Sequence, residues 1–139
     1  MQHIVDLKNG TLYKASIPPQ TVNANTNGVG VDLVSCDGRS QALISFGTLA
    51  ANTVVYVTVQ ESDDNTTFAA LADTANTNTG NLNTSNTVTA LGFQRSKRYL
   101  RAVATIAGTN ASAPMSVEII EQRKRSPSDD SGYSASPAG

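Results

Sequence analysis

The sequence predicts an all-β protein, an antiparallel β-sandwich or barrel. Three observations carry that expectation. Ser, Thr and Asn make up about thirty per cent of the 139 residues; β-branched Thr favours extended backbone and Asn favours turns. Apolar and polar residues alternate in several runs, so that Val55, Val57 and Val59 share one face while Tyr56, Thr58 and Gln60 share the other. These runs recur roughly every ten residues with Gly, Asn or Asp between them, the spacing of a sandwich or barrel. No helical periodicity competes, and a parallel sheet would need longer crossovers, usually helical.

Taken in order, residues 1–27 read as an extended N-terminal arm. Ile4, Val5 and Leu7 suit one short strand and residues 13–17 another. Pro18-Pro19 then imposes an extended link, because proline fixes φ and restrains the residue before it. Residues 28–122 read as the body. A strand over 30–35 is expected to close at an Asp37-Gly38 turn, and one over 41–46 at Gly47. The run 53–61 is the clearest strand; 62–65 turns the chain and 66–71 returns as a short strand. Residues 73–86, rich in Asn and Thr around Gly80, suit a surface loop or weak edge. Strands follow over 87–93, 98–106 and 115–121. Leu100, Ala102, Ala104 and Ile106 share a face, as do Met115, Val117 and Ile119. The predicted core is Val55, Val57, Val59, Leu100, Ala102, Ile106, Val117 and Ile119. Residues 123–139, short of apolar side chains, read as an extended C-terminal tail.

Charge and composition exclude several functions. The net charge is -1, without the basic excess of a nucleic-acid binder. No apolar run approaches the twenty residues of a membrane helix, and the N-terminus lacks the apolar stretch of a secretory signal. Cys36 is the single cysteine and forms no internal disulfide. It has no nearby base in sequence, and His3 is a lone histidine in a polar segment, so neither nucleophilic catalysis nor a His/Cys metal site is expected. Glu61, Asp63 and Asp64 could supply oxygen ligands to calcium, but their spacing also suits an ordinary strand exit. No enzyme activity, cofactor or metal is expected. The basic residues Arg95, Lys97, Arg98 and Arg101 either meet an acidic partner or protect a sheet edge. Arg123, Lys124 and Arg125 begin the tail, and Tyr133 lies within it. Arg98, Arg101, Arg123, Lys124, Arg125 and Tyr133 are the candidate partner-binding residues.

Residues 59–68 (Val-Gln-Glu-Ser-Asp-Asp-Asn-Thr-Thr-Phe) and 97–107 (Lys-Arg-Tyr-Leu-Arg-Ala-Val-Ala-Thr-Ile-Ala) resemble a pattern in small structural proteins of tailed bacteriophages. There a strand-turn-strand of this kind is followed by an Arg-Tyr-Leu-Arg strand. The resemblance spans residues 30–122 and is to capsid decoration, or cement, proteins and related head proteins. It implies a jelly-roll-like β-sandwich on the capsid exterior of a virion, binding the major capsid protein and bridging its subunits. It also implies a homo-oligomer, commonly a trimer, and no catalytic residues. Two other roles fit the sequence: a carbohydrate-binding sandwich of a fibre, and a head-tail or tail-tube component. The first normally offers aromatic platforms, and this chain has no Trp and four Tyr.

Overall fold

A computed structural model describes residues 8–71 and 77–124. Ten strands occur among them. They are β1 (Thr11–Val22), β2 (Thr26–Asn27), β3 (Val31–Asp32), β4 (Cys36–Phe46), β5 (Val54–Ser62), β6 (Ala69–Ala70), β7 (Asn78–Leu82), β8 (Val88–Gln94), β9 (Tyr99–Ala107) and β10 (Ala113–Arg123). One sheet has the order β1-β10-β4-β8. The other runs β2-β9-β5-β6, with β3 also on β9 and β7 also on β5. Every pairing is antiparallel. This is the expected β-sandwich.

The order has a simple origin. β1 pairs with β10, β2 and β3 with β9, β4 with β8, and β5 with β6 and β7. The chain is thus one long nested hairpin, with its tip at residues 62–68. Rolled up, it lays alternate rungs in opposite sheets, the jelly-roll arrangement. Inward residues alternate along each strand and meet in one core. Val55, Val57 and Val59 of β5, with Leu100, Ala102 and Ala104 of β9 beside them in the same sheet, share one core with Ile44 and Ala42 of β4 and Met115, Val117 and Ile119 of β10 in the other sheet; all are buried. Ile106, expected inside, is only partly buried: it packs against the edge of the core while β9 stays paired with β5 through Ala107.

Two local expectations are corrected. Residues 11–22, placed in the N-terminal arm, form β1 and pair along their length with β10, burying Leu12, Ile17 and Val22. Pro18-Pro19 therefore lies inside a strand. The strand tolerates it because β1 is an edge and its register shifts between Ile17 and Gln20. The strand expected over 30–35 shrinks to Val31–Asp32. The turn falls at Val34-Ser35, closed by a 3.0 Å bond from the Cys36 amide to the Leu33 carbonyl. Asp37-Gly38 is consequently part of β4, since the chain has already reversed. Within residues 73–86, expected as a surface loop or a weak edge, Asn78–Leu82 is a short strand on β5, which agrees with the second of these. Ile4, Val5 and Leu7 lie outside the described residues, as do Arg125 and the tail beyond it.

A buried hydroxyl fastens the first bulge of β1 to the opposite sheet. Ser16 Oγ donates to the Val29 carbonyl and accepts from the Ala102 amide, each at 2.8 Å. Gly28 passes so close that a Cβ there would lie 2.2 Å from Ser16 Oγ. Only glycine fits.

Val57→Asn places an amide among fully buried apolar side chains. The lost contacts and the unsatisfied group together should lower stability by about 3–5 kcal/mol. Urea denaturation should find the variant largely unfolded in dilute buffer, whereas Thr58→Asn on the outer face should behave as wild type.

Candidate partner-binding surface

Four of the candidate residues are described, and the structure gives them different roles. Arg98 immediately precedes β9, and its guanidinium makes a two-point pair with Asp32 of β3: Nε to Oδ1 and Nη2 to Oδ2, both 2.8 Å. It also lies 5.1 Å from the centre of the Tyr99 ring. The Arg98 bond pulls the Asp32 carboxyl down from its ordinary 3.8 to about 2. Arg101 points outward from β9, donates to Gln60 Oε1 at 2.9 Å and lies 4.4 Å above the Phe68 ring. Arg123 and Lys124 are exposed at the end of β10. Their backbone amides bond the Gly10 and Ser35 carbonyls at 2.9 and 2.7 Å. Arg125 and Tyr133 lie outside the described residues. Both guanidiniums of the Arg-Tyr-Leu-Arg strand thus already have partners within the chain.

Arg95, from the same basic cluster, is structural. Its Nε meets Glu121 Oε2 at 2.7 Å, Nη1 meets the Lys97 carbonyl at 2.9 Å, and Nη2 reaches the Leu33 and Cys36 carbonyls at 2.8 and 3.2 Å. The Ser40 hydroxyl also donates to Glu121 Oε2. Across the sandwich, Glu61 of β5 accepts from the Ser96 amide and hydroxyl, each at 2.9 Å, and from the Lys97 amide at 3.2 Å. Glu61 and Glu121 are 2% and 1% exposed, a burial that ionised carboxylates tolerate only with charged or N–H partners. Strand parity announces both acids: Glu61 continues the inward row Val55-Val57-Val59, and Glu121 continues Met115-Val117-Ile119.

The acidic group considered for calcium does not converge. Glu61 points inward, Asp63 lies 3.7 Å from Lys97 Nζ, and Asp64 Oδ1 caps the turn by accepting from the Thr66 and Thr67 amides, both at 2.9 Å. Those amides lower the Asp64 pKa. Among the described residues no three His, Cys, Asp or Glu side chains come together as metal ligands. Cys36 is buried, and burial pushes its thiol pKa up, away from nucleophilic use.

The surface with most to offer a partner is the outer face of the β1-β10-β4-β8 sheet. Its rows follow from register. Tyr13, Ile120, Gln41 and Gly92 lie side by side, then Ala15, Glu118, Leu43 and Ala90, then Ser116, Ser45 and Val88. Tyr13 is 48% and Val88 64% exposed, while Leu43 and Ile120 are half-buried. Glu118 is the single charge in these rows. The outer face of the other sheet mixes Tyr56, Tyr99 and Val103 with Thr58, Gln60, Thr105 and the cation Arg101. Sequence reading missed the first face because half-exposed Leu43 and Ile120 look like core residues until the register is known.

These features define a jelly-roll β-sandwich with one comparatively apolar solvated face. No protein-family profile matches the chain, and no curated protein matches it in sequence. Solved structures do share its fold. The PBSX exported protein XepA aligns with a TM-score of 0.56 at 14% identity, over 91% of this chain; the chain spans 41% of XepA's length. The SPBc2 prophage-derived protein YomS aligns with a TM-score of 0.52 at 10% identity, over 86% of this chain and 98% of its own. At these identities the likeness is one of fold.

Two measurements check the electrostatics. Arg95→Met leaves Glu121 buried without its cation and should cost about 3–5 kcal/mol in urea denaturation, while Arg95→Met/Glu121→Leu should recover most of that loss. Asp32 is more acidic folded than unfolded, so its pair stabilises the fold above about pH 4 and ceases to do so as pH falls towards 2. Asp32→Asn should therefore lower the denaturation midpoint slightly at pH 7 and leave it unchanged at pH 2. The effect is small because both side chains are nearly half exposed.

Proposed function

We propose that this chain is a non-catalytic structural protein of a phage particle: a decoration protein on the capsid exterior that binds the major capsid protein and bridges its subunits. The observation that carries the reading is the outer face of the β1-β10-β4-β8 sheet. Tyr13, Leu43, Val88 and Ile120 stand there on a rigid ladder with one carboxylate among them. A partner surface gains by covering exposed apolar groups held in fixed positions, because little side-chain ordering is lost on binding. The prophage-derived name of a structural neighbour and the resemblance of residues 59–68 and 97–107 to phage head proteins support the same reading. The face offers no cleft with convergent titratable groups, as catalysis would need. Repetition on a symmetric shell would multiply a modest single-site affinity.

The test is cosedimentation of the purified chain with assembled capsid shells of a phage that encodes it. Wild type should pellet with shells and saturate at a fixed ratio to capsid subunits. Leu43→Asp/Ile120→Asp should remain folded and lose binding by at least about a hundredfold, because charge is set into an apolar contact. Indifference of the wild-type chain to shells overturns the reading, and binding to a glycan array in its place would move the chain to carbohydrate recognition.

A further inference from the structure

Strand edges in soluble proteins are normally blocked by brevity, proline, charge or bulges, because an open edge recruits another strand. Most edges here follow that rule. The β2-β9-β5-β6 sheet ends on pieces of two to five residues. β1 carries Lys14, Pro18 and Pro19 and shifts register twice. β8 is different. Its seven residues, Val-Thr-Ala-Leu-Gly-Phe-Gln, contain no charge and no proline, and they pair with β4 in unbroken register. Among the described residues no strand lies along its other side.

The pairing pattern shows which backbone groups face outward. The Phe46 amide donates to the Thr87 carbonyl at 2.9 Å. Antiparallel ladders alternate, so Thr89, Leu91 and Phe93 turn their amides and carbonyls towards β4. Val88, Ala90 and Gly92 turn theirs to the open side. Their side chains stand on the exposed outer face, and a Cβ at Gly92 would meet nothing within 4 Å.

We infer that β8 pairs antiparallel with β8 of a second copy of this chain, about a two-fold axis at Leu91. The register is self-consistent. Centring on Leu91 sets Ala90 opposite the partner's Gly92, so outward-facing backbone groups meet outward-facing ones on both sides of the axis. Leu91 meets its own copy on the core side, and small side chains meet on the solvent side. A charge close to a two-fold axis is brought near its own copy. β8, having none, makes the contact without repulsion, while its lack of charge gives no reason to prefer an acidic or basic partner. The product is one eight-stranded sheet whose outer faces run on continuously. Its unit is a dimer, in place of the trimer that the phage resemblance implies, and it stands whether or not the chain binds capsids.

Sedimentation equilibrium of the full chain tests this. Wild type should have twice the 14.5 kDa chain mass. Ala90→Lys/Gly92→Lys sets lysine against lysine and should weaken self-association at least about a hundredfold, giving monomers at the same concentration. Ala90→Lys/Gly92→Glu sets each new lysine opposite the partner's new glutamate and should restore the dimer. Circular dichroism should be the same for all three, since both positions are exposed. In wild type the Ala90 and Gly92 amides should exchange slowly with deuterium, and their protection should fall on dilution to monomer. A monomeric wild type overturns the inference. So does an oligomer that survives the double-lysine change, or fast exchange at both amides in a concentrated sample.

Discussion

Two carboxylates buried at one end of the sandwich, one in each sheet, set the geometry around them. Glu121 closes the inward row of β10 and Glu61 that of β5. An ionised carboxylate in such a place needs donors arranged around it. The loop between β8 and β9 supplies them to both: Arg95 to Glu121, and Ser96 and Lys97 to Glu61. That loop carries the chain from one sheet to the other, so the acids fix where the crossing occurs. Arg95 extends the restraint to the Leu33 and Cys36 carbonyls, which places the β3–β4 turn. Four segments, β10, β5, the β8–β9 loop and the β3–β4 turn, are thereby joined through the side chains of Glu61, Glu121, Arg95 and Ser96.

This fixed end lies apart from the outer face of the β1-β10-β4-β8 sheet, whose rows carry Tyr13, Leu43, Val88 and Ile120. Three of the cations that looked available for a partner are occupied, Arg98 by Asp32, Arg101 by Gln60 and Phe68, and Arg95 by Glu121, while Arg123 and Lys124 stay exposed at the end of β10. What remains accessible is a rigid, lightly charged ladder of side chains and one unguarded strand edge beside it. Both features suit association with other proteins, and they lie on the same sheet.

Much of the architecture was legible in the sequence, for a physical reason. Inward valines two apart on β5 and alternating apolar residues on β9 and β10 leave a single way to bury their faces, and the structure buries them so. The Asn content was legible too. Asn52, Asn65, Asn86 and Asn110 all adopt positive φ, a conformation this side chain tolerates better than most. What was hidden is what depends on long-range pairing. Nothing local tells that Pro18-Pro19 lies in a strand, since only the edge position of β1 makes it tolerable. Asp37-Gly38 carries the chemistry of a turn, yet Leu33–Cys36 closes first. The candidate site shows the same division. Parity could have placed Glu61 and Glu121 inside, but the engagement of Arg98 and Arg101 rests on Asp32 and Gln60, distant in sequence. The apolar outer face emerges only when four strands are laid side by side.

The nested hairpin also bears on how the protein is made. β10 sits between β1 and β4 and is the last strand of the sandwich to leave the ribosome. Until then β1 has no strand to pair with, and β4 has β8 alone. The inner rungs around β5 can close early because their partners are near in sequence, while the outermost rung joins opposite ends of the domain and closes slowly. Folding of the first sheet is thus confined to the time after synthesis has reached residue 123, and a nascent chain held short of that point would carry an unpaired β1 available to chaperones.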